Sequence, residues 1–564
     1  MLRLPRRECP LREHHEPNQQ MQSETDPWWY LILWRATFIM LIQMTTIQSN
    51  PKSPLVSGAA KPNWKRNIGV VLLLLFIVCG ISLRFVGLGE KDFWLDEAHS
   101  IRFLAPTDLA QLYGRAFTTA ELESQLRPTF DINGFGKTCS NIRESTSDQA
   151  PLYFLIARGF CPFFEDELFA LRLLAAAFSV LTTPLFYLWV RRFTGNRITA
   201  LVGALVISVS PFLMVYSAEA RGYTLWVLLL ILANHLCWQM DRLSGWKASL
   251  KYGCVLSTLA MNHLASVLFV PGHVAFMLYQ GVKKRVILNS LIPLVVTLAI
   301  WNAYQGKLGL AFTRITSTSW MAQQQPIEAW WTRLVSIPAR AFYDSGGVPS
   351  VDGGGFSPVY LLALIPIGIF IAGFFVKTSV KHRVFLLALL SYPFILIVMD
   401  LALGGCRAVV PRYQAPTLVV LLLETALIIG ALLASISKVK RLLGGLLLAS
   451  IVVAGLGSEI LISQKHKIWT KYHFVDLSQA KRLIRTREHP LIMASNAPAI
   501  ILASKVLHCD NARFEVVAKT TKLSIPRNTD GIVILRGKNE KSLAHLVPKL
   551  KQICPDVSIV MEDK

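Results

Sequence analysis

The chain has 564 residues, of which 53% are hydrophobic and 16% charged, and its mean hydropathy is +0.44; that balance excludes an ordinary water-soluble enzyme and indicates a polytopic membrane protein. The 58 Lys and Arg against 35 Asp and Glu give a net charge of +23, but the basic residues lie in short clusters between apolar runs rather than in a stripe, which argues against a nucleic-acid partner. Nine Cys without CxxC or Cys/His spacing indicate neither a zinc site nor a dense disulfide framework.

In chain order, residues 1–66 come first and are set aside from the fold. The apolar stretch Trp28 to Met44 carries Arg35 near its centre, at a cost of about 2.5 kcal/mol in a span. It reads as an extra helix, a signal-like segment or a wrongly assigned start. The next 67–464 form the membrane body, for which a requirement of roughly 20 apolar residues per span gives about eleven candidates. Their approximate limits are 68–86, 168–190, 198–215, 223–240, 248–262, 264–280, 286–302, 359–376, 384–403, 413–433 and 442–462.

Basic clusters at Lys61/Lys65/Arg66, Arg191/Arg192/Arg197, Arg242/Lys247/Lys251, Lys283/Lys284/Arg285, Lys377/Lys381/Arg383 and Lys438/Lys440/Arg441 fall at alternate ends of these spans. The positive-inside rule makes that side cytoplasmic. The opposite side then receives a large first loop (87–167), the connection Glu219 to Tyr223, the turn Asn262/His263, the loop 303–358, the turn 404–412 and the C-terminal tail. The run APLYFLIARGFCPFF (150–164) would reverse every later cluster if it crossed, so it reads as an interfacial helix. Cys139 with Cys161 and Cys509 with Cys554 fall on the expected oxidising side, as disulfides or as buried thiols.

From 465 onward the β-branched runs LIMAS (491–495), FEVVA (514–518), GIVILRG (531–537) and VSIVM (557–561), with a helical pattern over 539–553, predict a small extracytoplasmic α/β domain, 465–564. It lacks a Gly-rich phosphate loop, and support or acceptor docking is its expected role.

Four polar islands fall on the outer side. After Arg84, the first loop opens with Asp92, Asp96 and Glu97 beside Phe93 and Trp94; a carboxylate partly desolvated there acquires the working range of a base, unless it is only an acidic turn. YSAEARGY places Glu219, Arg221 and Tyr223 between two spans, where Arg suits a phosphate and where a simple salt bridge between helix ends would look the same. Asn262/His263 is a tight turn, and Arg407 with Arg412 and Tyr413 breaks the expected scarcity of cations on that side. Together they describe a carboxylate pair and several cations at headgroup depth, which suits a sugar-phosphate lipid.

The segments RFVGLGEKDFWLDEAHSI, QAPLYFLIARGF, ELFALRLLAAAFSVLTTPLFYLWVRRFTGNRITALVGALVISVSPFLMVYSAEARGYTLWVLLL, MNHLASVLF and PRYQAPTLVVLLL, in that order, resemble the membrane core of the GT-C glycosyltransferases. The likeness is strongest to the branch related to protein O-mannosyltransferases and lipid A aminoarabinose transferases, and it covers roughly 68–435. It implies a helical membrane protein with a large first outer loop and a catalytic acid at Asp96, with Glu97 shaping the acceptor or headgroup side. It implies a donor-phosphate contact from Arg221, in the polar motif with Glu219 and Tyr223. His263 matches the relatives' Thr-His turn, and Arg412/Tyr413 match their late Arg-Tyr pair. Where relatives show His-Pro-Pro before Leu-Tyr, this chain has Asp148-Gln149-Ala150-Pro151, so Asp148 offers a different polar contact. Arg84 and Arg407 are further secondary candidates.

The resemblance implies a polyprenyl-phosphate sugar donor, inversion at the anomeric centre, an unnamed acceptor and an active site facing away from the cytoplasm. No cofactor is expected, and a divalent metal has no support in ligand spacing. The competing readings are a transporter or lipid flippase, which calls for internal repeats and discontinuous helices, and a polymerase or ligase of lipid-linked glycans.

Overall fold

The computed structural model describes residues 64–107, 109–145, 149–242, 245–305, 321–322, 324–344, 364–375, 379–466, 477–507, 509, 511–517, 525–536, 543 and 546–561. The expectations for Trp28 to Met44 and Asp148 lie outside these residues. The chain divides into two compact units, one holding 60–92 with 128–472 and the other 93–127 with 473–564.

The larger unit is helical. Helices fall on all eleven apolar stretches. Among the described residues five are long and apolar enough to cross a membrane, Glu167–Thr194, Lys284–Tyr304, Val380–Leu403, Pro411–Leu433 and Lys438–Gln464. A sixth span results if the bent pair Arg197–Ser208 and Pro211–Ser217 counts as one. The others are shorter, as with Tyr223–Trp238 at 16 residues. The stretch 150–164 forms the helix Leu152–Phe160 and a 3-10 turn Cys161–Phe163, also short.

Local sequence explains the joints. The helix Glu167–Thr194 begins where the Asp166 carboxylate accepts from the Leu168 and Phe169 N–H groups, and it stops at Gly195 in the left-handed region (φ 69°). Asn196 then caps the next helix through Ile198 and Thr199. The 50° bend after Ser208 follows from Pro211, which starts the second piece. The carbonyls freed near the bend are taken by Arg84, whose guanidinium donates to Ile207 O (2.8 Å) and Ser208 O (3.0 Å) while also holding Ser179 O (2.6 Å) and Ser179 Oγ (2.8 Å). Arg84 is wholly buried. In the same unit Arg172 donates to the carbonyls of Leu88, Lys91 and Asp92, and the Lys91 ammonium caps the end of Lys438–Gln464 through Ile462 O and Ser463 O.

The smaller unit is a five-stranded sheet with helices. Strands β1 (Ala116–Thr118), β2 (Pro490–Ala494), β3 (Arg513–Val516), β4 (Gly531–Arg536) and β5 (Val557–Met561) lie in the order β1-β3-β2-β4-β5. β2 through β5 pair in parallel, whereas β1, from the first loop, pairs antiparallel with β3 in the register Phe117 opposite Phe514. Alternation sorts the faces. Leu491, Met493, Ile532 and Ile534 share one apolar core with Leu543, Leu550 and Cys554, and the intervening Ile492, Ala494, Val533 and Leu535 point the other way. The helix Ala497–Leu507 packs on β2 and β3 and also on Leu95–Leu104, the helix that carries Asp96 and Glu97. The tail therefore shares its sheet and a helix layer with part of the first loop.

Neither Cys139 with Cys161 nor Cys509 with Cys554 forms a disulfide.

Candidate functional site

Within the larger unit, three stretches far apart in sequence meet around Gly222. Gly222 precedes the helix Tyr223–Trp238, and its carbonyl accepts from Asn262 Nδ2 at 2.9 Å. A Cβ at this position would lie 2.8 Å from Asn262 Oδ1 and 2.8 Å from Tyr153 Cβ, so the approach of three elements admits only glycine. Tyr153 is fixed from behind, its hydroxyl donating to Leu171 O at 2.8 Å. The short helix Leu152–Phe160 thus buries Tyr153 and Phe154 into the unit instead of only lying on a surface.

Next to that junction, Arg221 is mostly buried, donates to Gln149 Oε1 at 3.3 Å and sits 5.8 Å from the centre of the Phe154 ring. Glu219, two residues earlier, is fully buried. His263 stacks on Trp226 with ring centres 3.9 Å apart and planes 10° from parallel, and Tyr413 meets its edge at 5.6 Å. Trp226 is itself held by its indole N–H donating to Ser266 Oγ at 2.8 Å. Burial, reinforced by the nearby Arg412 and Arg221, pushes the His263 imidazole down to about 3. The ring is therefore neutral at physiological pH. Arg412 lies 5.5 Å from the ring of the adjacent Tyr413.

A cavity opens here, lined by Gln149, Asn262, His263, Tyr392, Arg407 and Tyr413 on its polar parts and by residues such as Leu264, Leu268, Met321 and Leu396 elsewhere. It offers a ligand both apolar wall and polar groups. Arg407 contributes to the lining, but its Nη1 is bound to Asp400 Oδ1 (3.2 Å) and Gly404 O (2.8 Å). Asp400 is in turn saturated by the Arg407 and Ala408 N–H groups at 2.9 and 2.7 Å and by the Trp330 indole at 3.3 Å.

The candidate residues thus divide. Arg221, Tyr223, His263, Arg407, Arg412 and Tyr413 belong to the larger unit with Glu219. Arg84 spends its hydrogen bonds on helix carbonyls, which gives it a structural role rather than a donor contact. Asp96 and Glu97 belong to the smaller unit, in the first turn of Leu95–Leu104, with Asp96 partly exposed and Glu97 buried. The helix dipole there favours negative charge in that first turn. Asp148 is outside the described residues. Among those described, no group of three or more His, Cys, Asp or Glu is arranged to hold a metal ion.

Sequence reasoning missed Tyr392 and Asp400, both set in an apolar run. Asp400 carried a signal, a carboxylate inside a candidate span calling for a partner; Tyr392 carried none.

A family model described as dolichyl-phosphate-mannose-protein mannosyltransferase matches residues 148–303. The match falls inside the stretch that resembles the GT-C glycosyltransferases and bears that resemblance out. No curated protein matches the sequence. Among solved structures the chain is similar to ArnT from Cupriavidus metallidurans bound to undecaprenyl phosphate, at 12% identity over 86% of this chain and 89% of that one, with a TM-score of 0.49. It is also similar to the Archaeoglobus fulgidus oligosaccharyltransferase (11%, 81% and 64%, TM-score 0.43). The arabinosyltransferase EmbB from Mycobacterium smegmatis follows (12%, 77% and 44%, TM-score 0.31).

Proposed function

We propose that the chain is an integral-membrane glycosyltransferase that moves a hexose or pentose from a polyprenyl-phosphate donor to an acceptor at the extracytoplasmic face, with inversion at the anomeric carbon. The observation that carries this reading is the match of residues 148–303 to the mannosyltransferase family model. That stretch holds Arg221, Tyr223 and His263, next to a cavity with apolar and polar walls. A polyprenyl phosphate has the same two-part chemistry, an apolar chain and an anionic head.

In the proposed step Asp96 takes the proton of an acceptor hydroxyl as its oxygen attacks C1 of the sugar. The bond from C1 to the phosphate oxygen breaks, and the polyprenyl phosphate leaves with the electron pair, its charge met by Arg221 and Arg412. Glu97 shapes the acceptor side. An acceptor that is already an ionised phosphate needs no base, and Asp96 then only positions it.

The bent pair Arg197–Ser208 and Pro211–Ser217 is the kind of discontinuity that a transporter uses to coordinate ions. Here the carbonyls of Ile207 and Ser208 are occupied by Arg84, which favours the enzyme over the carrier. Monosaccharide against oligosaccharide lipid donors would separate a transferase from a ligase.

The test is release of polyprenyl phosphate from a panel of radiolabelled polyprenyl-phosphate sugars by purified protein in lipid, wild type beside Asp96→Asn. The expected result is release by the wild type and a loss of about 10²- to 10⁴-fold in the variant, the usual worth of a general base. Near-normal transfer by Asp96→Asn would remove the base role, and wild-type protein that neither binds nor consumes any donor would overturn the reading.

A further inference from the structure

The chain passes from the larger unit to the smaller one between Asp92 and Phe93, and Asp96 follows almost at once. Residues 88–92, just before the crossing, form neither helix nor strand, yet their backbone is held from two sides. From the helix Glu167–Thr194, Arg172 Nη1 donates to Leu88 O (2.8 Å) and Lys91 O (2.9 Å), and Nη2 donates to Asp92 O (3.1 Å). From the end of Lys438–Gln464, the carbonyls of Ile462, Ser463 and Lys465 each accept from Lys91 Nζ at 2.7 Å. The Asp92 N–H donates to His466 O at 3.0 Å, and His466 Nδ1 donates to Glu90 O at 2.7 Å. Arg172 and Lys91 are both buried.

The turn of helix that carries Arg172 also braces the donor side. Leu171 O accepts from the Tyr153 hydroxyl, and Ala175 O accepts at 2.7 Å from Thr224 Oγ1, on the helix Tyr223–Trp238 that follows Arg221. Leu173 and Ala176 share an apolar cluster with Leu88 and with Ala218, the residue before Glu219. One stretch, 171–176, therefore grips both the loop leading to Asp96 and the motif holding Arg221. Two buried cations are a poor source of stability for so short a loop, because desolvation offsets much of what their hydrogen bonds contribute. A planar guanidinium and a helix-capping ammonium instead fix directions.

We infer that Arg172 and Lys91 are positioning residues for the transfer step, fixing the loop 88–92 and, through it, the place of Asp96 relative to the donor. The inference rests on the transferase reading above and adds what holds its base. Neither residue touches donor or acceptor; each acts only through the backbone it grips. Displacing a reacting group by about 1 Å costs on the order of 10²-fold in rate, so the effect belongs in kcat rather than in donor binding.

The experiment compares wild type, Lys91→Met, Asp96→Asn and the double variant, full-length in lipid, with the polyprenyl-phosphate sugar that the wild type consumes fastest. It reads donor binding, kcat for release of polyprenyl phosphate, and melting temperature. Lys91→Met keeps the apolar stem and removes the ammonium. The expected result is a kcat lower by about 10- to 100-fold, with donor binding within about twofold of wild type. In the Asp96→Asn background the same substitution should cost almost nothing further, since a residue acting through Asp96 has nothing left to place. Unchanged kcat overturns the inference. So does a loss that multiplies in full with that of Asp96→Asn, or one matched by weaker donor binding and a lower melting temperature, which marks a merely structural role. Should Lys91→Met not fold, Arg172→Lys, which keeps the cation but not the planar fork, carries the same comparison. Wild-type protein that consumes no donor, or Asp96→Asn with near-normal transfer, fails differently: it overturns the transferase reading or its base, and this assignment with it.

Discussion

At Gly222 the absence of one methyl group decides whether three separated stretches of chain can meet. Gly222→Ala would force its Cβ to within 2.8 Å of both Asn262 Oδ1 and Tyr153 Cβ, overpacking that costs about 1–3 kcal/mol. The expected outcome is a lower melting temperature in detergent together with weaker donor binding, checked by thermal unfolding and lipid binding on one preparation. His263 makes a prediction about pH. Its folded-state value, held at about 3 against an ordinary 6.5, means that the unfolded chain binds more protons between those values. Its contribution to stability is complete above pH 6.5 and falls as the pH drops toward 3. His263→Gln should flatten the melting temperature over pH 4 to 6.5 relative to wild type, as ~1.4 kcal/mol per pKa unit implies. Arg221, His263 and Tyr413 were legible in the sequence because packing gives no reason for a charge or imidazole between two apolar runs. Tyr392 was not, since a tyrosine in a span is an ordinary amphipathic core residue. Arg84 and Arg407 looked like the others, because sequence does not tell whether a guanidinium meets a ligand, a helix carbonyl or a carboxylate such as Asp400.

Among the elements, the short strand β1 changes the meaning of the C-terminal region. It brings 116–118 into the sheet of 490–561, and the helix Ala497–Leu507 packs on the helix bearing Asp96. The tail therefore helps to hold the proposed base. Phe514, fully buried in β3 opposite Phe117, tests this in the full-length chain. Phe514→Asp places an unpaired charge in the sheet and should abolish transfer by disordering the smaller unit, while binding of polyprenyl phosphate by the larger unit persists. Loss of both would contradict the division of labour. The four other strands fall on β-branched runs that the sequence displays openly. β1 does not announce itself, because three residues are too few for a period of two to register.

At the scale of the molecule, the helices land where apolar runs stand, but among the described residues only five of them, or six with the bent pair, have the length and composition of a span. Hydropathy marks what is apolar; it does not mark where a helix breaks, as at Pro211, nor which short helices are completed by neighbours rather than by length. The charge clusters predict sidedness, and cysteine labelling tests it. Glu488→Cys, at an exposed site in the smaller unit, should react with a membrane-impermeant maleimide in intact cells, and Arg441→Cys, exposed near the start of Lys438–Gln464, only after permeabilisation. The reverse pattern would refute the topology. Arg84 also sets a condition on biogenesis. Its carbonyl partners at Ile207 and Ser208 lie 123 and 124 residues further along the chain, so at 5–20 residues per second the ribosome takes roughly 6–25 seconds to supply them. Until then the guanidinium that follows the helix Trp64–Leu83 lacks part of its final set of acceptors, and headgroups, water or an insertion factor must shelter it. The nascent chain therefore passes through a stage in which the segment Trp64–Leu83 depends on outside help, and it is released from that help when Arg84 closes on the later helices.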